Sequence, residues 1–518
     1  MTNIFIPVFL AVLLFGVKAV WAEEANTEAV VIEKSPLPAV ELIVREEETQ
    51  ELPEDLLKYL KKKKIAADAL GIYVRDVNAD LPLLLHDADE PRNPASTMKL
   101  LTTWSALKTL GPAWSWDTEA WIRGEIVGDT LEGDLVLKGY GDPFLVYETF
   151  WQFVHDIRLK GIRTINGDII IDNSFFDLPA IDPGAFDNRP SRVYNAPPSA
   201  LMFNFQATRF MFKPDASRQT VSITTLPPLN DVLLDNQLKL VEGRCRRKHY
   251  RPLVRRSSLV SDQVQQNQDA DDGGIQTDDV NKVLVKGDYA DGCGYRQILR
   301  VVSDPDQHVF DAFKVIWRDL GGQIDGGMRS GRIRHDDQRF HVHTSRALGE
   351  QVRLINKWSN NVMTRQLLLT LGAKKYGAPA TLAKGRMAVL DVLTEQGIST
   401  ENMVVDNGSG LSRDARLSAR QLGLLLHSVW HEPYMPELLN SLPLLGEDGT
   451  LARRFRDSAM QGRSRLKTGT LNRVTALAGY MLTRSGKRMV VVMQHNGKKA
   501  GSHGRAIQNK VLEWVFEQ

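Results

Sequence analysis

From Leu348 to the end of the chain the apolar residues change period twice, and few architectures accommodate both periods in that order. Residues 348–371, 380–396 and 417–430 repeat with helical spacing, residues 476–482 and 489–494 are strand-like, and residues 505–516 return to a helical pattern. Helices on one side of an antiparallel sheet satisfy that order. The first part of the chain is also mixed. Residues 56–65 suggest a short helix, 71–77 a strand, and 95–110 a buried helix ended by Gly111. Strands are expected at 134–137 and 168–172, with a helix over 148–160 between them. The chain is therefore expected to be α+β. With 518 residues, 42% of them hydrophobic, it can bury more than one core and is expected to form several domains.

The N-terminus reads as an export signal. Residues 4–17 are an uninterrupted apolar run, and Val20-Trp21-Ala22 offers a cleavage site after Ala22. The run is shorter than the ~20 residues that span a bilayer, although Lys18 lies on the wrong side of it, which leaves an uncleaved anchor as the alternative. Residues 23–55 hold eleven acidic and two basic residues with three prolines, a composition that reads as a tether. The product is expected to be exported, periplasmic or extracellular, with at most peripheral membrane contact. In such a compartment Cys245 and Cys293, the two cysteines, are expected to pair. Against 65 Lys and Arg stand 63 Asp and Glu, a net charge of +2, so no overall positive field exists to hold nucleic acid. The basic stretch 244–256 is read as solvated surface and the polar stretch 261–281 as a mobile loop.

Three short motifs carry chemistry. Ser96-Thr-Met-Lys99 puts a hydroxyl and an amine three residues apart, on one face of a helix start. A desolvated lysine, or one beside another cation, loses its proton readily and can activate a serine. Alone this pattern is weak, and a helix cap with a surface lysine would explain it. Ser359-Asn-Asn361 and Lys467-Thr-Gly-Thr470 change the weighing. A Ser-x-Asn can pass protons to a leaving amine and hold a peptide carbonyl. Lys-Thr-Gly on an edge strand offers a cation and a hydroxyl to a carboxylate, with the glycine allowing a substrate backbone to approach. A Gly-x-Ser-x-Gly elbow and a His-Glu-x-x-His pair are both missing from the chain. His341 and His343 could ligate a metal, but alternation on a strand with rings toward solvent is the preferred reading, so neither a metal nor another cofactor is expected.

Ser-x-x-Lys, Ser-x-Asn and Lys-Thr-Gly in that order are the signature of penicillin-binding proteins and β-lactamases. The 263 positions between Ser96 and Ser359 require a large insertion. Together with Gly139-Tyr-Gly-Asp-Pro143, Tyr194-Asn-Ala-Pro-Pro-Ser-Ala200, Asp406-Asn-Gly-Ser-Gly-Leu-Ser-Arg413 and Gly449-Thr-Leu-Ala-Arg453, the chain resembles the D-alanyl-D-alanine carboxypeptidase/endopeptidase family of penicillin-binding protein 4 type, from about Leu56 onward.

That resemblance implies a penicillin-recognising, β-lactamase-like domain with an antiparallel sheet, interrupted by two nested accessory domains. The expected boundaries are a signal at 1–22, a linker at 23–55, the catalytic domain at 56–110 and 344–518, a second domain at 111–180 and 294–343, and a nested third at 181–293. It further implies that Ser96 is acylated with Lys99 as its base. Ser359 and Lys467 would carry the proton to the leaving D-alanine, and Asn361 would hold a substrate carbonyl. The Ser96 and Thr470 N–H groups would form an oxyanion hole, Thr468 and Thr470 would hold the terminal carboxylate, and Gly469 would belong to the substrate-binding strand. The implied partners are peptidoglycan stem peptides and β-lactams. A β-lactamase and a catalytically inert penicillin-recognition module are the competing readings.

Overall fold

A computed structural model describes residues 51–229, 232–246, 249, 252–257 and 282–518. The expected signal, the tether up to residue 50 and the 261–281 stretch lie outside the described residues. The folded body starts slightly before the expected boundary, because helix α1 begins at Glu54 and Leu52 is already buried.

Five strands form one antiparallel sheet: β1 (Leu70–Asp76), β2 (Leu84–His86), β3 (Ser464–Leu471), β4 (Val474–Leu482) and β5 (Arg488–Asn496), in the order β3-β4-β5-β1-β2. The helices of this part are α1 (Glu54–Lys63), α2 (Lys99–Leu110), α3 (Leu348–Trp358), α4 (Asn361–Tyr376), α5 (Leu382–Glu395), α6 (Ala419–Trp430), α7 (Met435–Ser441) and α8 (Ala500–Phe516). They cover both faces of the sheet, not one. Successive strand residues point to opposite sides. Tyr73, Tyr480, Val490 and Val492 accordingly meet Leu101, Trp104, Leu367 and Leu425 on one side. Ile72, Val74, Leu477, Val491 and Met493 meet Leu56, Leu60, Ile507, Val511 and Leu512 on the other. Near-continuous apolar runs in β4 and β5 are what double coverage demands, and they are the sign that a one-sided reading passes over.

Residues 348–371 do not form one helix. The chain leaves α3 at Ser359 in the left-handed conformation (φ 57°), and Asn360 then caps α4 by accepting the Met363 N–H at 3.1 Å. Periodicity continues across the break because both helices bury apolar residues in the same core. The break matters because it lifts Ser359 out of helical geometry.

Between Asp117 and Thr344 the chain builds separate sheets. A seven-stranded mixed sheet contains Asp117–Val127, Thr130–Gly139, Ile169–Asp172 and Gln338–Thr344, packed against helices Tyr147–Leu159 and Pro305–Asp319. Two three-stranded sheets follow within residues 208–300 and share a core. Cys245 and Cys293 are bonded there, with Cα atoms 4.5 Å apart. His341 and His343 do lie on a strand, yet their rings face Phe153, at centroid distances of 5.6 and 6.5 Å, and are not turned to solvent. Burial is the first cause that lowers both their pKa values.

Helix α8 starts five residues earlier than its apolar pattern suggests and buries Val511, Leu512, Val515 and Phe516 against the sheet. Leu512 is fully buried, so Leu512→Ala should cost about 2–5 kcal/mol. Urea unfolding checks this; a change under about 1 kcal/mol would mean that α8 adds little to the core.

Candidate active site

The first motif occupies a tight turn, Ala95–Met98, that runs directly into α2 at Lys99. Ser96 and Lys99 face the same way, with Lys99 Nζ 3.1 Å from Ser96 Oγ. The amine also donates to Asn361 Oδ1 and to the Ser409 carbonyl, each at 2.6 Å. Lys99 is completely buried. Its pKa is held well below the ordinary lysine value, first by that burial and then by the charges of Lys467 and Arg365. The partner set has a chemical consequence. Asn361 Oδ1 and the Ser409 carbonyl can only accept, so a neutral amine gives its two N–H groups to them and turns its lone pair to the Ser96 hydroxyl. That is the arrangement of a base.

A second buried lysine sits opposite. Lys467 on β3 donates to Ser359 Oγ at 3.0 Å and to the Thr468 carbonyl at 2.8 Å. Burial pushes its pKa down to about 7. The left-handed residue between α3 and α4 is thus what brings the Ser359 hydroxyl to this amine. All three motifs therefore meet, 263 positions apart for the two serines.

Side chains alternate along β3. Lys467 shares the face of β4 residues Ala478 and Tyr480, while Thr468 turns to the other side and donates to Thr450 Oγ1 at 2.8 Å. Thr470 is exposed at the sheet edge. Gly469 is constrained by the turn beside it: a Cβ there would stand 2.8 Å from the Pro94 carbonyl oxygen and 2.9 Å from the Ser96 nitrogen. The strand edge is pressed against the turn that carries Ser96.

Several participants carry no signal of their own in the sequence. Asn93 donates its N–H to Asn496 Oδ1 at 2.8 Å and its side chain to the Ser412 carbonyl at 2.9 Å, while its Oδ1 accepts the Ala95 N–H at 2.9 Å. It ties the turn to β5 and to the 406–413 loop at once. That loop forms a wall of the site. Asn407 Oδ1 accepts both the N–H and the hydroxyl of Ser409, which aims the Ser409 carbonyl at Lys99. Gly410 adopts φ +73°, and a Cβ there would lie 1.8 Å from the Ala95 carbonyl oxygen. The 194–200 motif holds α4 and is itself held by the 139–143 motif: Arg365 Nη1 donates to the Ala196 carbonyl at 3.0 Å, Gln366 to the Ser199 carbonyl at 2.7 Å, and the Gly141 N–H to the Ala200 carbonyl at 2.8 Å. They fix the arginine whose charge acts on Lys99.

Residues 52–518 match the model of the D-Ala-D-Ala carboxypeptidase 3 (S13) family. The chain belongs to that family. It is 29% identical over 484 residues to a D-alanyl-D-alanine carboxypeptidase of Actinomadura sp. (strain R39), covering 90% of this chain and 86% of that one. It is 24% identical over 446 residues to D-alanyl-D-alanine carboxypeptidase DacB of Haemophilus influenzae, covering 85% and 88%. The crystal structure of penicillin binding protein 4 (dacB) from H. influenzae superposes with a TM-score of 0.72 at 22% identity, over 87% of this chain and 96% of that one. The form complexed with a novel β-lactam gives 0.66. Among the described residues no group of three or more His, Cys, Asp or Glu could hold a metal ion.

Two outcomes follow from this geometry. Arg365 lowers the Lys99 pKa, so Arg365→Gln lets Lys99 hold its proton more tightly, and the rise of penicillin acylation with pH should move to higher pH. Acylation rates across a pH series read this directly; an unmoved rise would mean the arginine charge does not reach the amine. Gly410→Ala should displace Ala95 and slow acylation while the remote sheets stay folded, by the same assay paired with circular dichroism. Acylation at the parental rate would refute the tight contact.

Proposed function

We propose that this chain is a serine DD-peptidase that releases terminal D-Ala from peptidoglycan stem peptides through an acyl-enzyme on Ser96, and that β-lactams acylate the same hydroxyl. The observation that supports this best is the pair of fully buried lysines, each within hydrogen-bond distance of a serine hydroxyl. Keeping two amines out of water costs several kcal/mol per charged group, which a module that merely holds wall peptides has no reason to bear.

The steps follow from the atoms. Neutral Lys99 takes the Ser96 proton as the oxygen attacks the carbonyl of the penultimate residue. The developing oxyanion is held by the Ser96 and Thr470 N–H groups, a kind of contact whose loss typically costs about 3 kcal/mol. Lys467 and Ser359 pass a proton to the departing amine, and Lys467, with its pKa about 7, can both give and regain one near neutral pH. Asn361 uses its carbonyl oxygen on Lys99 and keeps its NH2 for a substrate carbonyl. Thr468 and Thr470 hold the carboxylate of the leaving D-Ala, and water then releases the acyl group. Cleavage of D-Ala to meso-diaminopimelate cross-links is the same reaction with a larger leaving amine. Among the hydrogen-bond partners of Lys99 and Lys467 no carboxylate occurs, which leaves the β-lactamase reading without a deacylating acid there. Among the described residues no helix is long and apolar enough to cross a membrane. Export after cleavage near Ala22, with peripheral contact at most, completes the reading.

Ser96→Ala should abolish both labelling by penicillin and D-Ala release in a protein that still folds. Labelling at a near-normal rate would remove Ser96 as nucleophile. Lys99→Ala and Lys467→Ala should each slow acylation strongly, and the double variant should lose far less than the product of the two, because the amines serve one proton network. Fully multiplicative losses would argue for separate roles.

A further inference from the structure

The turn that carries the Gly449–Arg453 motif has no part in the steps above, yet it forms one wall of a cavity of about 520 Å³ on the Thr468 and Thr470 side of β3. Thr475 of β4 and Arg505 and Gln508 of α8 line the rest. Three arginines, Arg453, Arg454 and Arg505, line it, and no acidic residue does. Arg454 is buried, and its guanidinium is held by neutral acceptors: Asn509 Oδ1 at 2.7 Å, Gln508 Oε1 at 3.0 Å and the Arg505 carbonyl at 3.4 Å. Arg453 and Arg505 are exposed. The carboxylates beside the turn are engaged elsewhere, Asp448 with Lys357 at 2.5 Å and Glu447 with Gln461 at 2.7 Å. Glu513 on α8 is an opposing charge that acts on Arg454, while Arg505 adds to burial in pulling its pKa down, to about 10. A buried cation held by neutral acceptors, with two more cations and no carboxylate in the cavity lining, makes a site of net positive field despite Glu513. Such a field suits an anion.

The position says which anion. The pocket continues from the edge where Thr468 and Thr470 would hold the leaving residue's α-carboxylate, and D-Ala has no further atoms to place in it. We propose that this arginine pocket is a leaving-group subsite for a second carboxylate, so that the enzyme favours a scissile amine carried by a residue with a second free carboxylate, such as the diaminopimelate of a cross-link acceptor stem that ends at that residue, over D-Ala alone. The subsite rests on the DD-peptidase reading and adds to it a determinant of which amide is cut. Arg453 and Arg505 would meet the ligand; Arg454, behind them, is a positioning residue that also sets the field.

Three synthetic substrates with one acyl part ending in D-Ala test it, differing in the leaving residue: D-Ala, D-α-aminoadipate with its second carboxylate, and D-norleucine with similar reach and no charge. The wild-type enzyme should cleave the aminoadipate substrate with kcat/KM at least about fivefold above the norleucine one, chiefly through KM, and added salt should narrow the gap. In the double variant Arg453→Gln, Arg505→Gln the gap should close to about twofold or less, while D-Ala release and penicillin labelling change far less. Arg453→Lys with Arg505→Lys should keep most of the gap, since charge is retained. A gap absent from the wild type, or unchanged in the glutamine variant, overturns the subsite, as does an equal loss on all three substrates. If the wild type labels with penicillin but shows no gap, the subsite alone falls; if it neither labels nor releases D-Ala, the peptidase reading falls and takes the subsite with it.

Discussion

Two amines kept from water are the constraint around which the catalytic part is organised. A lysine side chain resists burial because its charged form loses hydration, so a site that buries two must supply acceptors, keep anions away and hold the surrounding elements rigidly. Each requirement is visible. Lys99 is met by an amide oxygen from α4 and a carbonyl from the 406–413 loop, and Lys467 by a hydroxyl from the α3–α4 joint and a carbonyl of its own strand. Arg365 raises the local positive potential further. The result favours neutral amines beside serine hydroxyls, a condition that no single motif creates and that three segments far apart in the chain create together.

The long excursion between α2 and α3 contributes to that condition from outside. Its 194–200 segment reaches back to α4 and fastens Arg365 and Gln366 by backbone carbonyls, and its 139–143 segment is bonded in turn to Ala200. The accessory sheets have cores of their own. Their ends nevertheless set the charge environment of a lysine in the catalytic part, so the excursion is part of the electrostatics of the site as well as an appendage to it.

The side chains that the structure brings together were legible because they stand in short motifs of fixed identity and spacing: Ser96 with Lys99, Ser359 with Asn361, and Lys467 in its Lys-Thr-Gly-Thr run. Helices and strands with strong periodicity were legible too, with ends shifted by a few residues. What was not legible depends on backbone atoms or on tertiary neighbours. The Ser409 carbonyl is a group every residue possesses, so nothing in the sequence marks it as the partner of Lys99. Asn93 and Asn496 meet across the sheet from opposite ends of the chain. The break at Ser359 was hidden because apolar spacing runs through it. The second covered face of the sheet was hidden because a run that is apolar at every position has no period to read.

The pairing of β1 with β5 sets when such a site can come into being. Leu70 faces His495 and Asp76 faces Met489, more than 400 positions apart, and β2 is attached to β1 alone. A growing chain emerges N-terminus first, so the turn that carries Ser96 is synthesised long before the strand that will anchor it. Until β5 and α8 are released, the early segment has no sheet to join, and Lys99 has no dry place to go. The same order keeps an incomplete chain chemically idle. Ser96 and Ser359 are hydroxyls without a buried amine beside them until the last strands close the sheet.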